Sequence, residues 1–391
     1  MRTQVGIVGA GPAGLMLSHL LHLHGIESVI VESRSRDYVE QRIRAGVLEQ
    51  VTVDILNDTG VGERMNRQGL VHGGIDLRFG GRSRRIDFED LTGKRVMVYG
   101  QHEVVKDLIA RRLADGGQIV FDAADASVHG LESERPSIRY RDPSGADVEL
   151  GCDYVAGCDG FHGICRGSIP DGVLAYYDRI YPFAWLGILA QSKPVQDELI
   201  YANHERGFTL ISLRSPTITR MYLQCDPEEN IDEWPDERIW DEIRARLAGE
   251  DEPNLIPGPV LQKGVTAMRS FVVEPMQYGK LFLAGDSAHI VPPTGAKGMN
   301  LAIADVFVLA NAFDAFYRTG DAAGLATYSD TCLRRIWKTQ RFSWWMTSML
   351  HRFEGTGPFE HRVQLAELDY VTSSRAASTT LAENYVGLPF G

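Results

Sequence analysis

The 391-residue sequence has few cysteines, no long apolar run and no excess of positive charge. None of its five cysteines stands in a Cys-x-x-Cys pair, so we expect no metal site and reduced thiols, as in the cytoplasm. No run of about 18 uninterrupted apolar residues occurs, which argues against a membrane span. The 52 Asp and Glu against 40 Lys and Arg give a net charge of −12, and an acidic surface repels nucleic acid. We therefore expect a cytoplasmic protein that binds neither membranes nor nucleic acid.

The composition that remains is that of a globular protein, with 44% apolar and 24% charged residues. A chain of 391 residues exceeds the roughly 250 to 300 residues at which a single core stops growing, so we expect two or three packed units. The first unit begins as strand, helix and strand over Val5 to Val8, Pro12 to His24 and Ser28 to Val31. This order predicts a parallel α/β sheet.

A glycine-rich turn joins the first strand to the first helix. Gly9, Gly11 and Gly14 have the Gly-x-Gly-x-x-Gly spacing, which permits a tight turn and brings a pyrophosphate close to the helix N-terminus. Glu32 lies 18 residues past Gly14, at the end of the next strand, where it could accept hydrogen bonds from a ribose hydroxyl. Together these residues predict a dinucleotide site.

Two further segments indicate which dinucleotide. The stretch from Tyr154 to Gly160 contains Asp159 before a glycine, and the stretch from Leu281 to His289 contains Asp286 after a glycine. Asp286 follows four apolar strand residues, so it should lie at the carboxyl end of a strand, where open α/β sheets bind ligands. Both segments resemble the Asp-Gly and Gly-Asp motifs of the flavoprotein aromatic hydroxylases. Longer stretches, among them 43–50, 288–298 and 382–389, resemble the 4-hydroxybenzoate 3-monooxygenases within that family.

The resemblance implies an α/β fold with three regions. A Rossmann-like FAD-binding domain would span 1–175 and be completed by about 268–300, a sheet-based substrate domain would span 176–267, and a helical C-terminal region would span 301–391. The extended stretches 199–203, 208–214 and 219–224, followed by a helix from Asp236 to Leu247, support a separate sheet in the middle of the chain. The family also implies a homodimer.

The resemblance assigns roles to the residues that match the family pattern. FAD, or the helix cap beside it, would contact Gly9, Gly11, Gly14, Glu32, Arg42, Arg44, Gln101, Asp159, Asp286 and Asn300. The aromatic carboxylate would be lined by Tyr201, Ser212, Arg214, Tyr222, Pro293, Thr294 and Tyr385. A catalytic proton relay would run from Tyr201 through Tyr385 to His72. The nicotinamide cofactor would meet Tyr38, Arg42, His162 and Arg269.

Some site features follow from the residues themselves. Ser212 and Arg214 are two apart in an extended run and so share one face. If 216–218 forms the turn, Ser212 lies opposite Tyr222 and Arg214 opposite Arg220, a like-charge pair that an anion would relieve. A helix beginning near Lys297 would aim its positive end at a flavin, which places Lys297 among the cofactor residues.

The expected activity is FAD-dependent hydroxylation of 4-hydroxybenzoate to 3,4-dihydroxybenzoate, with NAD(P)H and O₂, through a flavin C4a-hydroperoxide. The residue after Glu32 is Ser33, and Arg34 or Arg36 could reach a 2′-phosphate, which favours NADPH over NADH. One alternative keeps this chemistry but uses another benzoate, such as a 3-hydroxy or 4-amino analogue. A second alternative is a non-catalytic flavoprotein whose tryptophan-rich C-terminal stretch forms an interface.

Overall fold

The computed structural model describes residues 1–42, 44, 46–251 and 253–389. Its strands, in chain order, are β1 (Val5–Val8), β2 (Ser28–Val31), β3 (Val47–Leu48), β4 (Leu70–His72), β5 (Gly74–Phe79), β6 (Arg82–Asp87), β7 (Val96–Val98), β8 (Gln118–Val120), β9 (Ala124–His129), β10 (Ser137–Arg141), β11 (Asp147–Gly151), β12 (Tyr154–Gly157), β13 (Ala175–Ala190), β14 (Leu199–Ala202), β15 (Thr209–Ser215), β16 (Ile218–Cys225), β17 (Val260–Glu274), β18 (Gln277–Tyr278), β19 (Leu281–Leu283) and β20 (His289–Ile290).

The helices are fewer and include several long ones in the C-terminal part of the chain. They are α1 (Pro12–Leu23), α2 (Arg36–Gln41), α3 (Gln50–Asp58), α4 (Glu63–Gln68), α5 (Phe88–Thr92), α6 (Gln101–Ala114), α7 (Ile164–Gly167), α8 (Asp236–Leu247), α9 (Gly298–Thr319), α10 (Ala323–Ala326), α11 (Tyr328–Leu350), α12 (Pro358–Ser373) and α13 (Arg375–Val386). Short 3₁₀ turns occupy Ile231–Glu233, Gly285–Ser287 and Pro293–Gly295.

A six-stranded sheet forms the first layer of the molecule, in the order β18-β19-β12-β1-β2-β8. Its four pairings from β19 to β8 are parallel, and only the edge strand β18 is antiparallel. Every residue of β1 and β2 is buried, as expected for parallel strands that helices cover on both faces. The prediction of a Rossmann-like α/β fold is confirmed, and the helix α1 joins the two strands as predicted.

A second, eight-stranded sheet has the order β20-β17-β13-β16-β15-β14-β5-β6. All of its pairings are antiparallel except β14 with β5. The sheet recruits β5 and β6 from residues 74–87 and β20 from after the Gly-Asp motif, so it extends beyond the stretch 176–267. Parallel addition of β5 needs a long crossover connection, which short-range sequence patterns do not reveal. The domain limits remain a prediction.

The C-terminal helices link the two sheets. Helix α9 packs against α1, and α13 packs against α5 at the edge of the second sheet. Helix α9 is long and apolar enough to cross a membrane, although most of it is buried against neighbouring elements, which is typical of a core helix. Residues 390 and 391 of the predicted helical region lie outside the described residues.

Candidate functional site

The glycine-rich turn lies at the carboxyl ends of the parallel strands, the edge where open α/β sheets bind ligands, and we call this edge the crevice. Gly9 has φ +102°, and a Cβ there would stand 2.4 Å from the Cys158 carbonyl oxygen. A Cβ at Gly14 would stand 2.0 Å from the Gly9 carbonyl oxygen, so both positions exclude a side chain. Gly11, the N-cap of α1, has open space in front of it. The turn therefore lets a ligand approach the free N–H groups of the first helical turn.

Glu32 lies at the end of β2 and is nearly buried. Its Oε2 accepts a hydrogen bond from the Ala10 backbone N–H at 2.7 Å, and its Oε1 accepts one from the Arg34 N–H at 2.8 Å. A carboxylate offers about four acceptor positions, so capacity remains for a ribose hydroxyl. The two backbone bonds hold this carboxylate in place before any ligand arrives.

Two aspartates occupy the ends of the adjacent parallel strands β12 and β19. Asp159 Oδ2 accepts a hydrogen bond from the Cys165 N–H at 2.8 Å, whereas its buried Oδ1 has no hydrogen-bond partner. Burial raises the pKa of Asp159. Asp286 is exposed to solvent in the crevice. The protein atoms around its carboxyl group partly remove its hydration and so raise its pKa, and His289 and Arg44 oppose this shift. Both carboxyl groups can accept hydrogen bonds from a polyhydroxylated ligand.

The other predicted cofactor residues fall into two groups. Arg42 and Arg44 are exposed, and Gln101 begins helix α6. Asn300 bonds instead to the backbone of the strand β3 region, accepting from the Glu49 N–H at 2.9 Å and donating to the Val47 carbonyl at 2.9 Å.

Lys297 is buried and bonded within the protein. Its buried ammonium donates to Glu49 Oε1 and to the Tyr385 carbonyl oxygen, both at 2.7 Å. Glu49 Oε2 also accepts from Arg335 at 2.8 Å. Burial lowers the pKa of Lys297, with Glu49 opposing. The geometry gives Lys297 a supporting role for the backbone of Tyr385, and its contact with a cofactor stays a prediction.

Two tyrosines from distant parts of the chain meet inside a hydrophobic core. The hydroxyl groups of Tyr201 on β14 and Tyr385 on α13 are 2.7 Å apart, and each residue is only 1% exposed. Burial, reinforced by Tyr385, raises the pKa of the Tyr201 hydroxyl. Both phenols are therefore neutral, and each hydroxyl group can donate one hydrogen bond and accept another.

Arg214 carries a buried positive charge that the protein leaves partly unpaired. Its Nη1 donates to Ser212 Oγ and to the Leu213 carbonyl oxygen, both at 2.9 Å. Its buried Nε has no hydrogen-bond partner, and no carboxylate among the described residues forms an ion pair with it. Burial lowers the pKa of the guanidinium. A planar carboxylate bound side-on would accept a hydrogen bond from this Nε.

The predicted register around Arg214 is wrong by two residues. Ser212 lies opposite Arg220, and Tyr222 lies opposite Leu210. Ser215 pairs with Ile218 across a two-residue turn, and the register shifts between Leu213 and Ser215. Arg214 therefore has no cross-strand partner, and the predicted pair with Arg220 does not form. Such an irregularity re-aims a side chain out of the ladder.

Tyr222 lies near both Arg214 and the pair Tyr201 and Tyr385, and we call these four residues the pocket. It is close enough to influence the pKa values of both Tyr201 and Arg214, and its ring packs 4.9 Å from that of Trp185. Pro293 and Thr294 form a short turn before α9, where the Thr294 hydroxyl is 2.9 Å from that of Thr347.

His72 ends strand β4 and is only 1% exposed. Neither ring nitrogen has a hydrogen-bond partner among the described residues, so no bond joins His72 to Tyr385. Burial lowers the pKa of His72 to about 4, opposed by Glu198 and Asp197. The imidazole is therefore neutral near pH 7, and its place in a relay stays a prediction.

Comparison with known proteins identifies the family. A family model described as "FAD binding domain" matches residues 2–343. A p-hydroxybenzoate hydroxylase from Acinetobacter baylyi is 49% identical over 391 residues, which cover 100% of this chain and 96% of that protein. The chain belongs to the p-hydroxybenzoate hydroxylase family of FAD-binding proteins. The predicted resemblance is confirmed.

More distant relatives of this family share the architecture. A 3-(3-hydroxy-phenyl)propionate/3-hydroxycinnamic acid hydroxylase from Burkholderia vietnamiensis is 25% identical over 79% of this chain and 56% of that protein. The crystal structure of a p-nitrophenol 4-monooxygenase from Pseudomonas putida superposes with a TM-score of 0.84, at 18% identity and 99% coverage of both chains. That similarity supports the fold alone.

The residues predicted to meet a nicotinamide lie at the protein surface. Arg34 stacks over the Tyr38 ring at 5.4 Å, whereas Arg36 is paired with Glu40 at 2.6 Å. His162 is exposed, and Arg269 Nε donates to Asp178 at 2.7 Å. Arg34 is thus less engaged than Arg36.

Two buried carboxylates that support the site, Glu49 and Asp305, were not predicted from the sequence patterns. Glu49 binds both Lys297 and Arg335, and Asp305 binds His289 at 2.6 Å inside the core. A charged residue in the middle of an apolar helix, such as Asp305 in α9, was a usable signal, because a buried charge requires a partner. Glu49 precedes a helix and has no comparable signal. Among the described residues, no group of His, Cys, Asp or Glu is arranged to hold a metal ion.

Proposed function

We propose that this protein is an FAD-dependent monooxygenase that converts 4-hydroxybenzoate to 3,4-dihydroxybenzoate with NAD(P)H and O₂. The observation that carries the proposal is that Tyr222 lies near both the guanidinium of Arg214, whose Nε has no hydrogen-bond partner among the described residues, and the buried pair Tyr201 and Tyr385. One end of the pocket offers a partner for a carboxylate, and the other offers a partner for a phenol. The 49% identity with a p-hydroxybenzoate hydroxylase supports the same substrate.

The crevice suits FAD. Open space before Gly11 admits a pyrophosphate, Glu32 retains acceptor capacity for a ribose, and Asp159 and Asp286 offer acceptors for further hydroxyl groups. FAD, when bound, supplies the acceptor for the hydride of NAD(P)H and the site of O₂ activation. The chain itself contributes binding, orientation and control of protons.

Arg214 would orient the substrate through its carboxylate. A bidentate contact fixes both position and direction, and Ser212 holds the guanidinium from one side at 2.9 Å. Orientation of the ring determines which carbon receives oxygen, so this contact also determines hydroxylation ortho to the phenol.

Tyr201 would activate the substrate through its phenol. Because Tyr201 is neutral and bonded to Tyr385, it can accept a hydrogen bond from the substrate while it donates to Tyr385. Movement of a proton along this pair leaves a phenolate, which makes the ring a stronger nucleophile. Burial of both tyrosines excludes water that would otherwise compete. We propose that His72 receives the proton in a conformation in which its nitrogens gain partners.

A panel of substrates tests the proposal. Oxygen consumption by the FAD-loaded protein, with NADPH and NADH used separately, should be stimulated most by 4-hydroxybenzoate. Stronger product formation from 3-hydroxybenzoate or 4-aminobenzoate would replace the proposed substrate with that benzoate. Tight FAD binding without any stimulated NAD(P)H oxidation would instead indicate a non-catalytic flavoprotein.

We also propose a homodimer in the cytoplasm. Helices α11 and α12 expose large aromatic side chains, namely Trp337 (40% exposed), Trp344 (45%), Phe359 (75%) and Tyr370 (58%). Exposed aromatic residues are enriched at interfaces between proteins. Light scattering after gel filtration should give twice the 43.4 kDa chain mass, and a monomer at micromolar concentration would overturn the dimer.

A further inference from the structure

The turn that carries Asp286 adopts a conformation that needs support. Strand β19 ends at Leu283, and Gly285 then adopts φ +65° before Asp286 enters the crevice. The Gly285 N–H donates to Oδ2 of Asp305 at 2.9 Å. Asp305 lies 20 residues further along the chain, on helix α9.

The same carboxylate oxygen binds the chain on the other side of Asp286. His289 Nε2 lies 2.6 Å from Asp305 Oδ2, and His289 begins strand β20 immediately after the turn. Asp305 therefore bonds to the residue that precedes Asp286 and to the first strand residue after it. The Asp286 carboxylate is the part of this segment that solvent reaches.

Asp305 and His289 are both sealed from the crevice. They are 2% and 1% exposed, so neither can contact a ligand bound there. A buried carboxylate in an apolar helix is costly unless its hydrogen bonds are satisfied, and here a backbone N–H and an imidazole satisfy one oxygen. Asp305 and His289 can therefore affect a ligand in the crevice through the conformation of the turn that carries Asp286.

We infer that Asp305, held by His289, is a positioning residue for FAD, because it fixes the Gly285 turn that presents the Asp286 carboxylate to the cofactor. The inference rests on the FAD-binding part of the proposed function. It does not depend on which aromatic compound is hydroxylated, and the assay below contains no substrate.

Titration of the apoprotein with FAD, followed by flavin fluorescence, tests the inference. Asp305→Ala should raise the FAD dissociation constant by about tenfold, since one hydrogen bond to a charged group then no longer orders the turn. Asp305→Asn keeps an oxygen for the Gly285 N–H and should raise it less, by about threefold. Ser329→Ala is the matched control, because Ser329 is also buried and its Oγ accepts the Met276 N–H at 2.9 Å.

Melting temperatures of the apoproteins separate positioning from stability. Asp305→Ala and Ser329→Ala should both lower the melting temperature, whereas only Asp305→Ala should weaken FAD binding. An equal loss of FAD affinity in the Ser329 variant would overturn the inference, since a general loss of stability would then explain both.

A double-mutant cycle with Asp286→Ala provides the sharpest readout. If Asp305 acts through Asp286, Asp305→Ala should change the FAD dissociation constant less than about twofold once Asp286 is already alanine. If the dissociation constant of the double variant rises by the product of the two single-variant effects, the inference is overturned. If Asp305→Ala does not fold, Asp305→Asn in both backgrounds gives the same test, and an unchanged dissociation constant in the background that keeps Asp286 contradicts the proposal.

Discussion

The cofactor crevice and the substrate pocket satisfy their polar groups in opposite ways. Glu32 and Asp159 in the crevice, and Asp305 buried behind it, each accept a hydrogen bond from a backbone N–H, at 2.7 to 2.9 Å, and among these carboxylates only the Oδ1 of Asp159 is buried without a partner in the described residues. In the pocket, the Nε of Arg214 has no partner among the described residues, and the same holds for both nitrogens of the buried His72, the proposed end of the relay. The crevice is therefore built before its ligand binds, whereas the pocket holds donors for which a ligand must provide the acceptor.

This difference separates stability from function within one chain. An unsatisfied buried polar group costs roughly 1 to 3 kcal/mol, so the pocket lowers stability until a substrate pairs with it. The carboxylate oxygens that accept a backbone N–H carry no such cost. We expect substitutions in the pocket to change chemistry and specificity more than folding, and substitutions behind the crevice to change folding and cofactor affinity together.

The strongest test of the contrast is Tyr201→Phe. The variant keeps the aromatic volume and the Arg214 contact, so folding and substrate binding should survive. Without the hydroxyl, the substrate phenol stays neutral and the ring is a weak nucleophile. General-base assistance contributes about 10²- to 10⁴-fold, so hydroxylated product should fall at least about tenfold while H₂O₂ appears instead. Peroxide and product, each measured per NAD(P)H consumed, check this.

Tyr181→Phe is the control for that variant. Tyr181 is equally buried in the same sheet, and its hydroxyl meets only Ser270, at 3.2 Å, among the described residues. Product yield should stay at the parent level in this control. Full coupling in Tyr201→Phe would show that phenol activation does not pass through Tyr201.

Arg214→Lys should be the next largest effect. An ammonium is a point charge and cannot make the planar two-bond contact with a carboxylate. Loss of one charge-assisted bond amounts to roughly 1.5 to 3 kcal/mol, or about one to two decades in the dissociation constant of 4-hydroxybenzoate. Arg206→Lys, at an exposed ion pair with Glu242, should leave this constant unchanged. Equal affinity in the two variants would remove Arg214 from the pocket.

The loss of stability in acid provides a further test of the contrast between the crevice and the pocket. The native pKa of His72 is about 4, whereas an unfolded histidine has a pKa of about 6.5. Between these values the unfolded state binds a proton that the native state refuses, so stability is lost as the pH falls. His72→Asn should reduce the loss between about pH 7 and about pH 4.5 by on the order of 2 kcal/mol. Urea unfolding of the parent and the variant at both pH values measures it, and identical pH profiles would mean that His72 is protonated alike in both states.

The smallest expected effect concerns the nicotinamide. The Arg34 guanidinium stacks on Tyr38 and forms no ion pair among the described residues, whereas Arg36 is paired with Glu40, so Arg34 is the better candidate for a 2′-phosphate. Arg34→Gln should lower kcat/KM for NADPH by about three- to tenfold and leave NADH unaffected. Arg36→Gln serves as the control. Comparable kcat/KM values for both cofactors in the parent would overturn the NADPH preference.

The crevice could be predicted from sequence because its parts are local. The spacing of Gly9, Gly11 and Gly14 encodes a strand, a turn and a helix within one short segment, and Asp286 follows its strand directly. Such patterns have one structural solution. Helix α8 was likewise predicted with the observed limits, because its apolar residues recur at helical spacing.

The pocket could not be predicted in the same way because it is assembled over long distances. Tyr201 and Tyr385 are 184 residues apart, and only the family resemblance suggested that they meet. The register around Arg214 depended on one irregular residue in a hairpin, which alternation alone does not reveal. The parallel pairing of β14 with β5 and the burial of Lys297 against Glu49 are also tertiary outcomes.

The account depends on the claim that one pocket holds the carboxylate and activates the phenol of the same substrate. The most direct measurement is chromatographic analysis of the product formed by the FAD-loaded protein from 4-hydroxybenzoate, with NADPH consumption recorded in parallel. The account predicts 3,4-dihydroxybenzoate in near-equal amount to the NADPH consumed. NADPH oxidation that yields only H₂O₂, or a product hydroxylated at another position, would contradict it.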